Sequence, residues 1–201
     1  MPKGPTKRRP QTVARLLDAA LAAFAENGFH VTTIEQVCAR AGYTRGAFYS
    51  NFASMDELFF ALFDQHAERE FAWLSGKLDK LADDGSIEQV FALLAEVTQE
   101  DADWFLISAE FTLYALRNPE AAAVLREHNE RHRAGIARLI EYFLARSGRR
   151  TDRDLGEMAR VFIAIRDGAL AQSHAEPDRL PFGTLEQIYW PVLFRALTEP
   201  A

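Results

Sequence analysis

Apolar residues recur at three- and four-residue steps along most of the 201-residue chain, which is the spacing of one face of an α-helix. No stretch alternates between apolar and polar residues for long enough to indicate a β-strand. Glycine-, proline- and aspartate-rich turns divide the chain into segments. The pattern therefore predicts an all-α protein of about nine helices. The predicted helices cover residues 11–27, a short segment that follows Thr32 and includes Ala41, and residues 44–51, 54–74, 86–99, 102–117, 119–147, 152–174 and 184–198.

Residues 28–52 form two short helical segments joined by a tight turn. Thr32 and Glu35 predict a capping box at the start of the first, since each side chain can bond the other residue's amide. Gly42 suits a left-handed turn because it has no Cβ, and Thr44 is a favourable N-cap for the second segment. The apolar positions of the two segments are Ile34, Val37, Cys38, Ala41, Phe48 and Phe52.

A short helix, a turn and a second helix with a polar, basic start predict a helix-turn-helix unit. The second helix of such a unit enters the DNA major groove with its first residues toward the base edges. The alternative is a hairpin whose residues serve packing only, but packing does not require the Thr-Arg-Gly start at residues 44–46. The Arg45 guanidinium can bond guanine O6 and N7, and Ala47 can touch a thymine methyl. The candidate DNA-contacting residues are Thr33, Thr44, Arg45, Gly46, Ala47, Tyr49, Ser50 and Asn51.

Several spaced positions in this stretch agree with one known pattern, namely Gly28, Thr32, Ala41, Gly42, Thr44, Arg45, Gly46, Tyr49, Phe52 and Leu58. In these residues the N-terminal part of the chain resembles the DNA-binding domain of the tetracycline-repressor (TetR) family. The resemblance implies DNA contacts at Thr33, Arg45, Tyr49 and Asn51. The sequence departs from the family pattern at two positions, since Met55 replaces a usual lysine and Tyr43 replaces a small aliphatic residue.

Charge is distributed unevenly along the chain. Residues 1–53 contain seven basic and three acidic side chains, which gives a charge of +4. Since the net charge of the whole chain is −6, the remaining residues together carry −10. This asymmetry is typical of a DNA-binding head on a body that repels phosphate. The basic run of residues 7–9 is interpreted either as an arm that reaches phosphates or the minor groove, or as a solvated tail.

Composition narrows the class of protein further. Hydrophobic residues at 48% and charged residues at 26% are ordinary for a globular protein. The single cysteine, Cys38, allows no internal disulfide and no cysteine metal cluster, which favours a reducing, cytoplasmic location. No apolar run approaches the ~20 residues of a membrane span, so no membrane association is expected.

The last two predicted helices carry broad apolar stripes. In proteins of the TetR family, which this chain resembles, these two helices pair with their copies in a second subunit as a four-helix bundle. The resemblance therefore implies a homodimer. The alternative is that both stripes fill the core of the monomer. Pro191 predicts a kink or a late start in the last helix, because it lacks an amide donor. The candidate interface residues are Phe162, Ile165, Ala169, Leu185, Ile188, Tyr189, Val192 and Leu193.

The body also contains candidates for a ligand pocket, although aromatic residues at helical spacing are more often core residues. Small-molecule sites are usually apolar cavities with a few polar groups. His128 and His132 lie four residues apart on an apolar stripe, where they are core histidines, pocket groups or, with His66 or Glu110 as a third ligand, a metal site. The candidate ligand-binding residues are Trp104, Phe105, Glu110, Phe111, Tyr114, His128, His132 and Phe162.

The sequence contains no nucleophile elbow, phosphate loop or dinucleotide fingerprint, so it predicts neither an enzyme nor a cofactor. We predict a disordered basic leader (1–10), a helix-turn-helix domain (11–53) and a helical ligand-binding and dimerisation domain (54–201). The function implied by the resemblance is a repressor that binds a palindromic double-stranded DNA operator as a dimer and is released by a small, largely apolar effector. The alternatives are a constitutive DNA-binding protein that ignores ligands, or an activator.

Overall fold

A computed structural model of the chain describes residues 8–78 and 86–201, and nine α-helices account for most of them. The all-α prediction is confirmed. The predicted leader lies mostly outside the described residues, and the first helix begins earlier than expected, at Arg8. The helices are α1 (Arg8–Asn27), α2 (Ile34–Ala41), α3 (Arg45–Tyr49), α4 (Met55–Leu78), α5 (Ile87–Leu94), α6 (Gln99–Ala115), α7 (Pro119–Arg146), α8 (Leu155–Ala175) and α9 (Thr184–Ala196).

Two very short strands, which the sequence pattern did not predict, pair antiparallel near the C-terminus. They are β1 (Arg149–Arg150) and β2 (Glu199–Pro200). A two-residue strand is too short to produce a visible alternation of apolar and polar residues. The Arg149 guanidinium strengthens the pairing by donating to the Thr198 carbonyl at 2.7 Å.

Capping side chains explain most of the observed helix starts. Ser54 accepts a hydrogen bond from the Glu57 amide at 3.1 Å and so caps the start of α4. Asp154 accepts from the Glu157 amide at 2.9 Å, so α8 begins at Leu155 and not at residue 152. The last helix begins at Thr184, as its predicted range does, and runs through a buried Pro191, so of the two expected effects of this proline the late start is absent and the kink stays a prediction.

Contacts group the described residues into two compact units. The head unit comprises residues 8–67 and 106–128, and the body unit comprises residues 68–78, 86–105 and 129–201. Helices α4, α6 and α7 each contribute residues to both units. The predicted domain boundary after residue 53 does not coincide with this division and stays a prediction.

A cluster of phenylalanine rings forms the core of the head unit. The rings of Phe59 and Phe111 stack with centroids 3.8 Å apart, and Phe29 meets Phe111 edge to face at 5.0 Å. Phe24 packs against Phe29 at 5.3 Å. All four side chains are buried. Burial of this much aromatic surface holds α1 and α4 to the second half of α6.

The body unit has a separate core built from α5, α7, α8 and α9. Three of its rings, Phe91, Phe162 and Trp190, lie within about 6 Å of one another. Among the described residues, no helix has the length and apolar character needed to cross a membrane. The buried members of this core are Val90, Phe91, Ile140, Phe143, Leu144, Met158, Ala159, Phe162, Trp190 and Phe194.

Candidate nucleic-acid interface

The start of α2 is capped one residue later than the sequence suggested. The Thr33 hydroxyl accepts from the Gln36 amide at 3.3 Å, and the Gln36 side-chain oxygen accepts from the Thr33 amide at 2.7 Å. The predicted box of Thr32 and Glu35 is therefore wrong. Thr32 is buried and donates its hydroxyl to the Gly28 carbonyl at 2.7 Å, so it serves the end of α1 instead. The Glu35 carboxylate is exposed and takes no part in this cap.

The turn between α2 and α3 follows the prediction. Gly42 adopts the left-handed conformation, with φ 73° and ψ 31°, and Tyr43 donates its amide to the Cys38 carbonyl at 2.9 Å. Thr44 caps α3 by accepting from the Ala47 amide at 3.3 Å. Helix α3 has only five residues, so it ends at Tyr49 and not at residue 51.

The inner faces of α2 and α3 fix the orientation of α3. Phe48 is fully buried, and its ring packs against Phe52 with centroids 5.7 Å apart. Val37 and Cys38 are buried on the facing side of α2. Burial raises the pKa of the Cys38 thiol, which fits its predicted role as a small apolar residue. The Tyr43 ring is half-buried.

The predicted DNA-contacting residues lie on or beside the opposite face. Ser50 and Asn51 use their side chains within the last turn, where the Ser50 hydroxyl donates to the Gly46 carbonyl at 2.7 Å and the Asn51 amide donates to the Ala47 carbonyl at 2.8 Å. Ala47 and Asn51 are half-buried. The exposed members of the set are Thr33, Thr44, Arg45, Gly46, Tyr49 and Ser50. Their contacts with DNA stay a prediction.

Arg45 is held from two sides. Its Nη1 lies 2.6 Å from Glu35 Oε1, and its Nη2 donates to the Tyr49 hydroxyl at 3.4 Å. The hydrogen bond with Tyr49, followed by the charge of Glu35, raises the pKa of Arg45 above its ordinary value. Sequence reasoning missed Glu35 as part of this surface, because it assigned that side chain to the helix cap.

The loop between α1 and α2 is anchored by a residue from α6. Gly28 has φ 84°, and a Cβ at this position would lie 2.9 Å from the Glu110 carboxylate. That carboxylate accepts from the Phe29 amide at 2.7 Å. The positive φ favours glycine at this position, and a Cβ would also displace the Glu110 carboxylate from its contact with the loop. The predicted ligand-binding role of Glu110 stays a prediction, and its observed contact is with this loop.

We expect Glu110→Ala to destabilise the head unit by about 1–3 kcal/mol, because it leaves the amide of the buried Phe29 without its acceptor. Glu110→Gln retains an acceptor oxygen and should cost clearly less. The free energy of unfolding of both variants is measured by urea denaturation, followed by the loss of the helical circular-dichroism signal. Equal losses for alanine and glutamine would show that the carboxylate charge, and not the hydrogen bond, is what matters.

Three other predicted ligand residues lie in the head unit. Phe111 is part of its aromatic core. Tyr114 donates its hydroxyl to Asp56 at 3.2 Å, and burial raises the pKa of this hydroxyl. His128 is buried, with Nδ1 2.7 Å from Asp64 Oδ1 and its ring stacked on Phe60 at 4.7 Å.

The remaining four predicted ligand-binding residues lie in the body unit. Trp104 and Phe162 are buried, and Phe105 stacks on a histidine, His174, with centroids 5.8 Å apart. His132 Nε2 lies 3.6 Å from Glu70 Oε2. The two histidines of the predicted pair thus have different acidic partners. Within residues 8–78 and 86–201, no group of three or more histidine, cysteine or acidic side chains is arranged to hold a metal ion.

The predicted interface residues of α8 and α9 differ in exposure. Phe162 and Ala169 are buried inside the chain itself, whereas Ile188, Tyr189 and Val192 are each more than half exposed. The face of α9 that packs inward carries Glu186, Trp190 and Phe194. The remaining interface candidates, Ile165, Leu185 and Leu193, are half-buried.

Comparison with known proteins agrees with this geometry along nearly the whole chain. Residues 16–62 match the sequence model for bacterial regulatory proteins of the tetR family, and residues 84–189 match that for the BetI-type transcriptional repressor, C-terminal part. The HTH-type transcriptional regulator UidR of Escherichia coli (strain K12) is 27% identical over 172 residues, which is 85% of each chain. The HTH-type transcriptional regulator YfiR of Bacillus subtilis (strain 168) is 25% identical over 174 residues, covering 84% of this chain and 83% of the relative.

A solved structure shows the same fold. GusR of Salmonella enterica superposes with a TM-score of 0.72 at 25% identity, covering 97% of this chain and 98% of that one. These relatives regulate transcription and are not enzymes. The helix-turn-helix at residues 33–51 is the feature that the head unit shares with the matched family. The chain belongs to the TetR family of bacterial transcriptional regulators.

Proposed function

We propose that the protein is a one-component repressor that binds a palindromic operator as a homodimer and is released from it by a small, largely apolar effector. The observation that carries the proposal is the orientation of α3. Phe48 is buried beneath the helix, while Arg45 and Tyr49 are exposed on its outer side. An exposed arginine at the start of such a helix can reach base edges in the major groove.

A dimer is expected because the α3 helix of one subunit can contact only a short DNA sequence. One helix-turn-helix contacts only a few base pairs, and a two-fold dimer places two of them on half-sites about one DNA turn apart. The exposed apolar side chains Ile188, Tyr189 and Val192 of α9 support this assembly. Apolar residues exposed together on one helix are typical of a surface that is covered in the assembled protein.

Release by an effector would be a shift between two arrangements of the protein. A ligand can shift that equilibrium only by binding one arrangement more tightly than the other. A coupling free energy of about 1–3 kcal/mol would weaken operator binding by about 5- to 150-fold. The predicted ligand residues of the body unit, Trp104, Phe105 and His132, are the groups we propose to receive this effector.

Selection from a random pool of duplex DNA tests the proposal. We expect the purified protein to enrich a palindromic sequence, with affinity that falls steeply as salt rises because counterions are released. Arg45→Ala should reduce discrimination at one base pair of each half-site by about 5- to 150-fold. Tyr49→Phe should weaken binding, because it removes a hydroxyl suited to a phosphate oxygen, and should also reduce discrimination, because that hydroxyl contacts the Arg45 guanidinium. A stable monomer that ignores duplex DNA at low ionic strength would contradict the proposal.

A further inference from the structure

We propose that Glu35 is a specificity-determining residue of the DNA-reading surface, which rests on the proposed DNA-binding function. Its ion pair holds the Arg45 guanidinium in position for a base edge and opposes the use of that guanidinium as a general phosphate ligand. Glu35 acts here through Arg45, so it is a positioning residue. Its role would be visible in which sequences are bound, and not only in how tightly DNA is bound.

The geometry supplies the restraint. Glu35 Oε1 lies 2.6 Å from Arg45 Nη1 on one side, and the Tyr49 hydroxyl lies 3.4 Å from Nη2 on the other. A guanidinium has five N–H donors, so these two contacts leave donors available for a base. Restraining a long side chain before binding lowers the entropy that is lost when it contacts the base.

Folding stability does not account for this pair. The Arg45 and Glu35 side chains are 60% and 57% exposed, and ion pairs between exposed side chains contribute little to stability. The carboxylate also lies beside α3, on a surface that must approach a polyanion if it binds DNA. A negative charge there repels phosphates whatever the base sequence, so it weakens DNA binding in general. Any gain that Glu35 brings to DNA binding would therefore lie in discrimination between sequences.

A second ion pair in the head unit provides a matched control. The Arg40 guanidinium donates to the Glu26 carboxylate at 2.8 Å and joins α2 to α1. These side chains are 38% and 57% exposed, and no residue of α3 takes part in the pair. Glu26→Gln removes the same charge from the same unit and leaves Arg45 and its partners unchanged.

The experiment compares wild type, Glu35→Gln, Glu35→Asp and Glu26→Gln by fluorescence anisotropy. The probes are the selected operator, the operator substituted at the base pair that Arg45→Ala identifies, and a random-sequence duplex, each at several salt concentrations. Glu35→Gln should bind the random duplex more tightly, lose at least about 5-fold of discrimination at that base pair, and steepen the salt dependence by about 0.9 per phosphate gained.

The two other variants separate the restraint from the charge. Glu35→Asp keeps the charge but shortens the side chain, so it should lose discrimination without binding the random duplex more tightly. Glu26→Gln should bind all three duplexes slightly more tightly and discriminate like wild type. The proposal is overturned if Glu35→Gln and Glu26→Gln behave alike, or if Glu35→Gln weakens binding to every duplex while its melting temperature is unchanged. A wild type that selects no sequence at all would instead overturn the proposed function, and the role of Glu35 with it.

Discussion

Gly183→Ala will destabilise the body unit more than its backbone conformation alone can explain. Gly183 precedes α9 with φ 80°, and a Cβ there would lie 2.2 Å from the Ala95 carbonyl oxygen. A left-handed conformation costs about 1–2 kcal/mol for a residue with a Cβ. The contact adds about 1–3 kcal/mol of overpacking, because a backbone oxygen cannot rotate away as a side chain can. We therefore expect the free energy of unfolding to fall by about 2–5 kcal/mol.

Gly148 offers the control for this result. It also has a positive φ, of 59°, but no atom lies within 4 Å of the position of its missing Cβ. Gly148→Ala should therefore cost only the conformational part, about 1–2 kcal/mol. Both variants are measured by urea denaturation at one protein concentration, since the stability of an oligomer depends on concentration. Equal losses would mean that the start of α9 can move away from Ala95.

Arg166→Ala will destabilise the body unit by about 3–5 kcal/mol, because it leaves a buried carboxylate without its counter-charge. Glu186 is completely buried, and neither of its carboxylate oxygens accepts a hydrogen bond within the described residues. Its ion-pair partner is Arg166, whose Nη1 lies 3.5 Å away. Urea denaturation at neutral pH measures the loss.

A double variant distinguishes the buried charge from lost packing. Arg166→Met combined with Glu186→Leu replaces the pair by apolar side chains of similar size, and such replacements are often neutral or stabilising. We expect it to be far more stable than Arg166→Ala. If both variants lose the same stability, the hydrogen bonds from Arg166 to the carbonyls of Leu94 and Glu96 carry the effect.

Burial also gives the stability a pH dependence with a defined sign. It raises the pKa of Glu186 above its ordinary value of 4.5. Between 4.5 and the raised pKa the folded state keeps a proton that the unfolded state has released, so stability falls as pH rises through this interval. The difference between wild type and Glu186→Gln therefore isolates the contribution of Glu186, and identical pH profiles would contradict it.

The sequence predicted the helix-turn-helix because its signals are local. Gly42 and Thr44 shape the turn through bonds to residues at most four positions away, and Phe48 follows the apolar periodicity. The capping box was misplaced because Thr32 and Thr33 are equivalent by local rules. The choice between them depends on contacts with the end of α1 and the loop after it, where the carbonyls of Ala23 and Gly28 accept a hydrogen bond from the Thr32 hydroxyl.

Contacts between distant residues could not be read from the pattern. Nothing in the periodicity of α6 assigns Glu110 to the amide of Phe29, which lies 81 residues earlier. On α9 the periodicity marks an apolar stripe, yet the inward face contains the charged Glu186. From sequence alone, a glutamate such as Glu186 is expected on the surface. Its burial is explained only by the ion pair with Arg166, which the sequence pattern does not reveal.

The composition of the head unit has a consequence for how the protein is made. Phe29 and Phe59 are covered by Phe111, and the Phe29 amide is bonded by Glu110, so the core of this unit includes a stretch translated much later. A nascent chain that has released only residues 1–67 from the ribosome therefore exposes rings that the finished protein buries. We expect this N-terminal third of the chain to stay vulnerable to proteases and chaperone binding until α6 and the start of α7 have emerged.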